Sequence, residues 1–260
     1  MKLAFYKYHG TGNDFIIIDN RDLIFNNKES GLVARLCHRR FGIGADGLLL
    51  LQNKKGYDFE MVYYNSDGNE SSFCGNGSRC IIAFAKKIGI LKTNNIKFFA
   101  IDGEHEAKIK RNIISVKMNN VNNVEVHPDY LFINTGSPHF VSFVSDVKKI
   151  DVLDEGRKIR NSKPFKKEGV NVNFVEKKDN FIFVRTYERG VEDETLSCGT
   201  GVVASALAAA MKGISTAANQ CKIKTLGGEL RVSFKKQKGN SFSDIWMEGH
   251  AIFVFNGEIK

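Results

Sequence analysis

The chain of 260 residues predicts an α+β protein of two pseudo-symmetric domains, each a curved, mainly antiparallel sheet wrapped around a central buried helix. Three observations carry that expectation. The sequence repeats itself once, at a spacing of 124 residues. Short β-rich segments are frequent and are punctuated by Gly, Asn and Asp. Two segments that are apolar nearly all round follow directly after the two copies of a Cys-Gly motif, the pattern of a helix buried on every side.

The repeat sets the domain organisation. Thr11-Gly12-Asn13 matches Thr135-Gly136-Ser137, and Cys74-Gly75-Asn76-Gly77 matches Cys198-Gly199-Thr200-Gly201. At the same spacing Tyr63 and Glu70 fall on Tyr187 and Glu194, Tyr64-Asn65 on Glu188-Arg189, Gly47 on Asn171, and Ala85 and Gly89 on Ala209 and Gly213. Two copies are too few for a solenoid, so we expect an N-terminal domain over 1–121 and a C-terminal domain over 122–248, facing each other across a cleft. The tail 249–260 has no counterpart in the repeat and is expected to return as a strand of the first domain.

Strands are expected at Asp14–Asp19, Leu48–Leu51, Phe59–Tyr64, Ile113–Met118, Phe140–Val144, Asn173–Val175, Phe181–Tyr187, Leu230–Phe234 and Ala251–Phe255. Asp102-Gly103 and Gly227-Gly228 read as hairpin turns. Helices are expected over the amphipathic Ser30–Arg40 and over Gly77–Ile88 and Thr200–Met211, which Gly89 and Gly213 terminate.

Composition excludes several classes. Hydrophobic residues make up 42% and charged residues 26%, with 3 Pro and 24 Gly, unlike a disordered or collagenous chain. The longest apolar run, Val202 to Met211, is interrupted by Ser205 and falls short of the roughly 18 residues of a membrane helix. The N-terminus reaches Gly12, Asn13 and Asp14 before a secretory apolar stretch develops, so a cytoplasmic protein with no membrane partner is expected. The net charge of +9 comes from lysines scattered in twos and threes, without a basic tract or a basic-aromatic recognition motif. It reads as a solvated surface, or alternatively as attraction for a small anionic substrate, and no nucleic-acid partner is expected.

Five cysteines are an odd count for a disulfide scaffold, and none shows the spacing or His partners of a zinc site, so no metal is expected. Cys37, Cys80 and Cys221 read as small buried hydrophobes. Cys74 and Cys198 read differently. Each stands at the entrance of a buried helix, where unpaired N–H groups and the helix dipole stabilise a thiolate or bind a carboxylate. Gly75 and Gly199 let a ligand approach the backbone. Two thiols on either side of one carbon suit proton removal from one face and delivery to the other, which inverts a stereocentre. The carbanion's charge moves onto the adjacent carboxylate, where the N–H groups of Gly75, Asn76, Gly199 and Thr200 can hold it. One such donor contributes about 3 kcal/mol in a transition state. A cysteine hydrolase needs one nucleophile and a His base, which leaves the second cysteine without a role.

The segments YHGTGNDF (8–15), GIGADGLLLL (42–51), NSDGNESSFCGNGSRC (65–80), GSPHF (136–140), GVNVNFVE (169–176) and YERGVEDETLSCGTG (187–201) together resemble the diaminopimelate epimerase family, in order and over nearly the whole chain. The resemblance implies a cofactor-independent isomerase that interconverts LL- and meso-2,6-diaminopimelate in lysine and peptidoglycan-precursor biosynthesis, and that forms a homodimer. It implies Cys74 as proton donor and Cys198 as acceptor in the LL-to-meso direction, with roles exchanged in reverse. Asn13, Asn65, Gly75, Asn76, Asn171, Glu188, Arg189, Gly199 and Thr200 are implied to bind substrate, Arg189 by bidentate pairing with the distal carboxylate. His139 and Glu188 are implied to support catalysis by holding the substrate amine and tuning the site. This chain departs from the family pattern at Gly47, where some members carry Gln, and at Ser137, where many carry Asn.

Three other readings compete. A racemase of another amino acid, of the proline or histidine type, would keep the fold and both cysteines but lack a clamp like Arg189. A nucleic-acid-binding protein without enzymatic activity rests only on net charge. Gly42 to Gly47 satisfies GxGxxG, but a helical segment precedes it and a strand follows, the reverse of a dinucleotide site.

Overall fold

The structure is a computed structural model that describes residues 3–26, 29–71, 73–214 and 217–259. It is an α+β fold that divides into two compact units, residues 1–116 with 249–260, and residues 117–248.

In the first unit, strands β1 (Leu3–Gly10), β2 (Asn13–Asp19), β3 (Gly47–Gln52), β4 (Phe59–Asn65), β5 (Asn95–Ala100), β6 (Gly103–Lys110) and β7 (Ile113–Met118) pair in sequence order. The β2–β3 and β4–β5 pairings are parallel and the others antiparallel. Helix α1 (Ser30–Cys37) covers one sheet face through Val33, Leu36 and Cys37, which meet Ile16, Ile18, Leu48 and Leu50. Helix α2 (Gly75–Lys87) covers the other through Ile81, Phe84 and Ala85, which meet Phe15, Ile17, Leu49 and Leu51. Burial on both faces explains why β2 and β3 read as unbroken apolar runs rather than as alternating strands. Helix α1 stops at Cys37, short of the expected Arg40, because His38 turns into the extended region (ψ 123°).

In the second unit, β8 (Val124–Val126), β9 (Leu131–Asn134), β10 (Pro138–Phe143), β11 (Asn171–Lys177) and β12 (Ile182–Glu188) pair in order. Beyond β12 come the short β13 (Asp193–Thr195), β14 (Gln220–Thr225), β15 (Gly228–Lys236) and β16 (Phe242–Gly249). Again two pairings are parallel, β10–β11 and β12–β14. Helix α4 (Gly199–Met211) is buried from Gly201 to Ala209 and packs against β9 to β12, β14 and β15. Helix α3 (Val152–Arg160), which the sequence pattern did not predict, covers the opposite face. It crosses closely because it carries Gly156: a Cβ there would stand 2.4 Å from Cβ of Tyr187.

The two units share one pairing scheme once the tail is counted. Strand β17 (Ile252–Ile259) pairs antiparallel with β1, as β8 pairs with β9. The tail, unmatched in sequence, is therefore the topological counterpart of β8. Register corrects the repeat at one further point. Gly47 and Asn171 are equivalent, but Gly47 opposes Asn65, whereas the β11–β12 register sets Asn171 against Glu188. Tyr64 thus matches Tyr187, and Asn65 matches Glu188 rather than Arg189. The second unit is one residue shorter between Asn171 and Tyr187 than the first is between Gly47 and Tyr64, and it regains that residue in the turn before Glu194, since Tyr64 bridges Glu70 and Tyr187 pairs with Glu194.

Candidate functional site

Both Cys-Gly motifs cap a helix of 13 residues. Cys74 and Cys198 are extended N-cap residues, and their carbonyls accept the first intrahelical bonds, from Ser78 (2.8 Å) and Val202 (2.9 Å). The amides of Gly75, Asn76, Gly199 and Thr200 precede those bonds and form the electropositive helix entrance. Each helix begins two or one residues earlier than its apolar stretch, because the N-cap cysteine starts the ladder.

The surroundings of Cys74 are held by a directional chain of amides. Arg79, fully buried in α2, donates from Nη2 to Oδ1 of Asn76 at 2.8 Å and to Oγ1 of Thr11 at 3.3 Å. Asn76 donates from Nδ2 to Oδ1 of Asn13 at 3.3 Å, and Asn13 donates from Nδ2 to Oδ2 of Asp46 at 2.8 Å. A cation at one end and a carboxylate at the other leave each amide one orientation. Oδ1 of Asn13 consequently faces the thiol of Cys74, 3.8 Å away, while the N–H of Gly77 donates to the same sulfur at 3.5 Å.

Asp46 is itself held in place. Arg39 joins it to Asp14, at 2.7 and 2.8 Å, and Lys7 pairs with Asp14 at 2.7 Å. Burial raises the pKa of Asp14, but the hydrogen bonds and charges of Arg39 and Lys7 outweigh it and bring it to about 2. Asn65 stands at the end of β4 opposite Gly47, and its backbone closes the following turn with Asn69 and Gly68, both at 3.0 Å. Gly47 has no room for a side chain, since a Cβ there would meet the Tyr64 carbonyl at 2.5 Å and the Tyr63 ring at 2.6 Å.

The candidate residues of the second unit are built on three strands and one turn. His139, Asn171 and Glu188 occupy one row across β10, β11 and β12. The Asn171 side chain accepts from the Arg189 backbone N–H (2.9 Å) and donates to Oγ of Ser137 (2.9 Å) and the Pro138 carbonyl (3.1 Å). Arg189 donates to the same Ser137 hydroxyl (3.2 Å) and to the Glu168 carbonyl (3.0 Å). Ser137 is thus the common acceptor for Asn171 and Arg189. Thr195 on β13 donates to Oε2 of Glu188 at 2.8 Å, and the turn between them is stapled by Glu192, which takes bonds from Gly190 N–H (3.1 Å) and the Tyr187 hydroxyl (3.0 Å). The buried Cys198 lies 3.5 Å from the Thr200 hydroxyl, and the Thr200 carbonyl accepts from Thr135 at 3.3 Å.

His139 is fully buried, and burial, with the charge of Arg189, lowers its pKa from 6.5 to about 3. Sequence patterning did not single out Arg79, Asp46, Asn173, Thr186 or Thr195. All but Thr186 lie inside the quoted motifs, Arg79 five positions after Cys74 and Thr195 two before Ser197, but a buried Arg has no periodic signature. Cys37 and Cys80 are buried and burial raises their pKa, for Cys37 to about 12. No group of three or more His, Cys, Asp or Glu that could hold a metal occurs among the described residues.

The diaminopimelate epimerase family model matches residues 5–124 and 131–254. The chain is 54% identical to a diaminopimelate epimerase of Flavobacterium psychrophilum over the full length of both, and 38% identical to one of Aquifex aeolicus over 99% of this chain and 98% of the other. Among solved structures, a Bacillus anthracis phenazine biosynthesis protein of the PhzF family superposes with TM-score 0.75 at 13% identity, covering 100% and 99% of the chains. A hydroxyproline epimerase of Agrobacterium vitis superposes with TM-score 0.70 at 12% identity, covering 99% and 92%. The structural likenesses establish the fold, and the sequence relationships go further: this chain belongs to the diaminopimelate epimerase family.

Proposed function

We infer that the protein interconverts LL- and meso-2,6-diaminopimelate without pyridoxal phosphate or a metal, supplying lysine and peptidoglycan synthesis. The observation that carries this reading is the repeated geometry: one cysteine caps one buried helix in each unit. In the LL-to-meso direction the Cys198 thiolate takes the α-proton, and the electron pair left on carbon delocalises into the carboxylate. The Cys74 thiol then returns a proton to the opposite face, leaving Cys74 as thiolate and Cys198 as thiol, so protons and charge balance. The amides of Gly75, Asn76, Gly199 and Thr200 are suited to hold the carboxylate while it carries the extra charge.

Oδ1 of Asn13 stands where it can accept from the S–H of Cys74, and the Thr200 hydroxyl stands beside the sulfur of Cys198. Arg189 serves as the clamp for the distal carboxylate, kept in place by Ser137 and Asn171, whose side-chain amide is committed to that task. Glu188, oriented by Thr195, receives the substrate amine, and Asn65 orients the distal end. The 1–121 and 122–248 halves, with the tail 249–260, thus act as two halves of one enzyme. We place it in the cytoplasm as a homodimer; Ile252, Phe253, Val254 and Phe255 on β17 are 38–50% exposed and offer apolar surface to a second copy.

Chiral analysis after incubation with LL-diaminopimelate, L-proline and L-histidine tests the substrate. Only diaminopimelate should change configuration, reaching meso from LL and the reverse. Racemisation of proline or histidine at comparable rate would contradict the assignment.

A further inference from the structure

Asn173 lies fully buried on β11, on the face that carries α4. The first turn of α4 rests on it: a Cβ at Gly201 would stand 2.4 Å from Oδ1 of Asn173. Its amide has one workable orientation. The carbonyl of Phe140, 3.0 Å from Nδ2, can only accept, and the Thr186 hydroxyl donates to Oδ1 at 3.0 Å. The same Nδ2 lies 3.2 Å from Nδ1 of His139 and 3.4 Å from the Asn171 carbonyl, the longest of its three contacts. With an N–H directed at it, Nδ1 is the acceptor, so the ring proton sits on Nε2. That Nε2 is buried and has no hydrogen-bond partner among the described residues.

The repeat shows that the fold does not demand this arrangement. Register equates His139 with Phe15, Asn173 with Leu49 and Thr186 with Tyr63. In the Cys74 unit those positions are apolar: the Phe15 and Tyr63 rings pair at 5.9 Å, and Phe15 and Leu49 pack at 3.4 and 3.5 Å from the Cβ position of Gly77, the counterpart of Gly201. One framework thus carries Phe, Leu and Tyr under one catalytic helix and His, Asn and Thr under the other. Burying three polar groups where apolar ones fit costs free energy unless they are bonded to one another, and one donor is left over.

We propose that Asn173, backed by Thr186, is a positioning residue that holds His139 as the neutral tautomer protonated on Nε2. His139 then offers a fixed donor to an anionic oxygen of the amino-acid substrate, and it neither abstracts a proton nor accepts from the substrate ammonium. The use of that donor rests on the epimerase reading above; the tautomer does not.

The test is long-range proton–nitrogen correlation on the full-length protein labelled with nitrogen-15 histidine, at neutral pH and without substrate. The signal that disappears in His139→Gln is that of His139. Wild type should show a protonated Nε2 and a bare Nδ1. Asn173→Leu, which installs the residue found at position 49, should give a mixture of tautomers and lower kcat by roughly tenfold or more with KM little changed. Asn173→Asp, whose carboxylate accepts from Nδ1–H, should invert the pattern. If Asn173→Leu does not fold, Thr186→Val, of equal size, should loosen the tautomer in the same direction. A proton on Nδ1 in wild type overturns the proposal whatever the activity, and so does an unchanged tautomer and kcat in the folded variants. The proposed tautomer in a protein that does not epimerise diaminopimelate would support the positioning role and overturn the epimerase reading instead.

Discussion

At the scale of single residues, the site is a set of side chains whose orientation is decided by charges at a distance of one or two hydrogen bonds. Arg79 and Asp46 fix Asn76 and Asn13, and Ser137 and Asn171 fix Arg189. Arg189→Ala should lower kcat/KM for diaminopimelate well over tenfold, since it removes a charge-assisted pair of roughly 1.5–3 kcal/mol per bond; unchanged kinetics would place the distal carboxylate elsewhere. His139 contributes a pH dependence of stability. Its folded pKa of about 3 lies below the unfolded 6.5, so the unfolded chain binds more protons between those values. Its contribution is complete above 6.5 and is lost as pH falls, on the order of 2 kcal/mol by about pH 5. Denaturant titrations of wild type and His139→Gln should converge as pH drops, and parallel curves would contradict the burial of a neutral ring. The sequence showed the two cysteines plainly, because a repeated motif at a helix entrance is unusual. It could not show Asn173 or Thr186, which look like ordinary strand residues until the register sets them against His139.

At the scale of elements, the two capped helices decide where the sulfurs stand. Gly201 is small because Asn173 lies against it, so Gly201→Ala should cost roughly 1–3 kcal/mol and also lift the first turn of α4 with Cys198. A lowered Tm together with lost activity is expected, and a fully active, equally stable variant would show that this contact does not set the position. In α3, Asp151 caps the helix by accepting from Asp154 N–H at 3.0 Å, and Asp151→Ala should lower stability by about 1 kcal/mol with turnover intact. Both buried helices and the central strands were legible because their apolar runs have no other explanation. Helix α3 was not, because Gly156 and a charged sequence disguise it; its glycine serves the close approach to Tyr187 rather than the helix. Strands β1, β5, β6, β8, β9, β13, β14 and β16 were not expected from the sequence; in β14, Lys alternates with apolar residues over only six positions, a weak signal.

At the scale of the whole chain, one pairing scheme is used twice, and the first unit takes its outer strand from the C-terminus. Strand β17 sets Phe255 edge-to-face with Phe5 at 5.9 Å and Phe253 edge-to-face with Tyr8 at 5.4 Å, and Lys87 of α2 lies over Phe253. Ending the chain after Gly249 should therefore unfold the unit that carries Cys74, lowering Tm by about 10 °C or more and abolishing activity; calorimetry that finds the wild-type transition would contradict this. The repeat was visible in the sequence, yet its alignment slipped by one between Asn65 and Glu188, because two compensating one-residue differences in turn length are invisible without the pairing register.

The most direct test of a two-thiol inversion is epimerisation in deuterium oxide by wild type, Cys74→Ala and Cys198→Ala, read by mass spectrometry and chiral separation. Wild type should place solvent deuterium on the α-carbon of the inverted product in both directions, and each variant should form no epimer. Epimer formed at the wild-type rate by either variant, or without deuterium, would contradict the account.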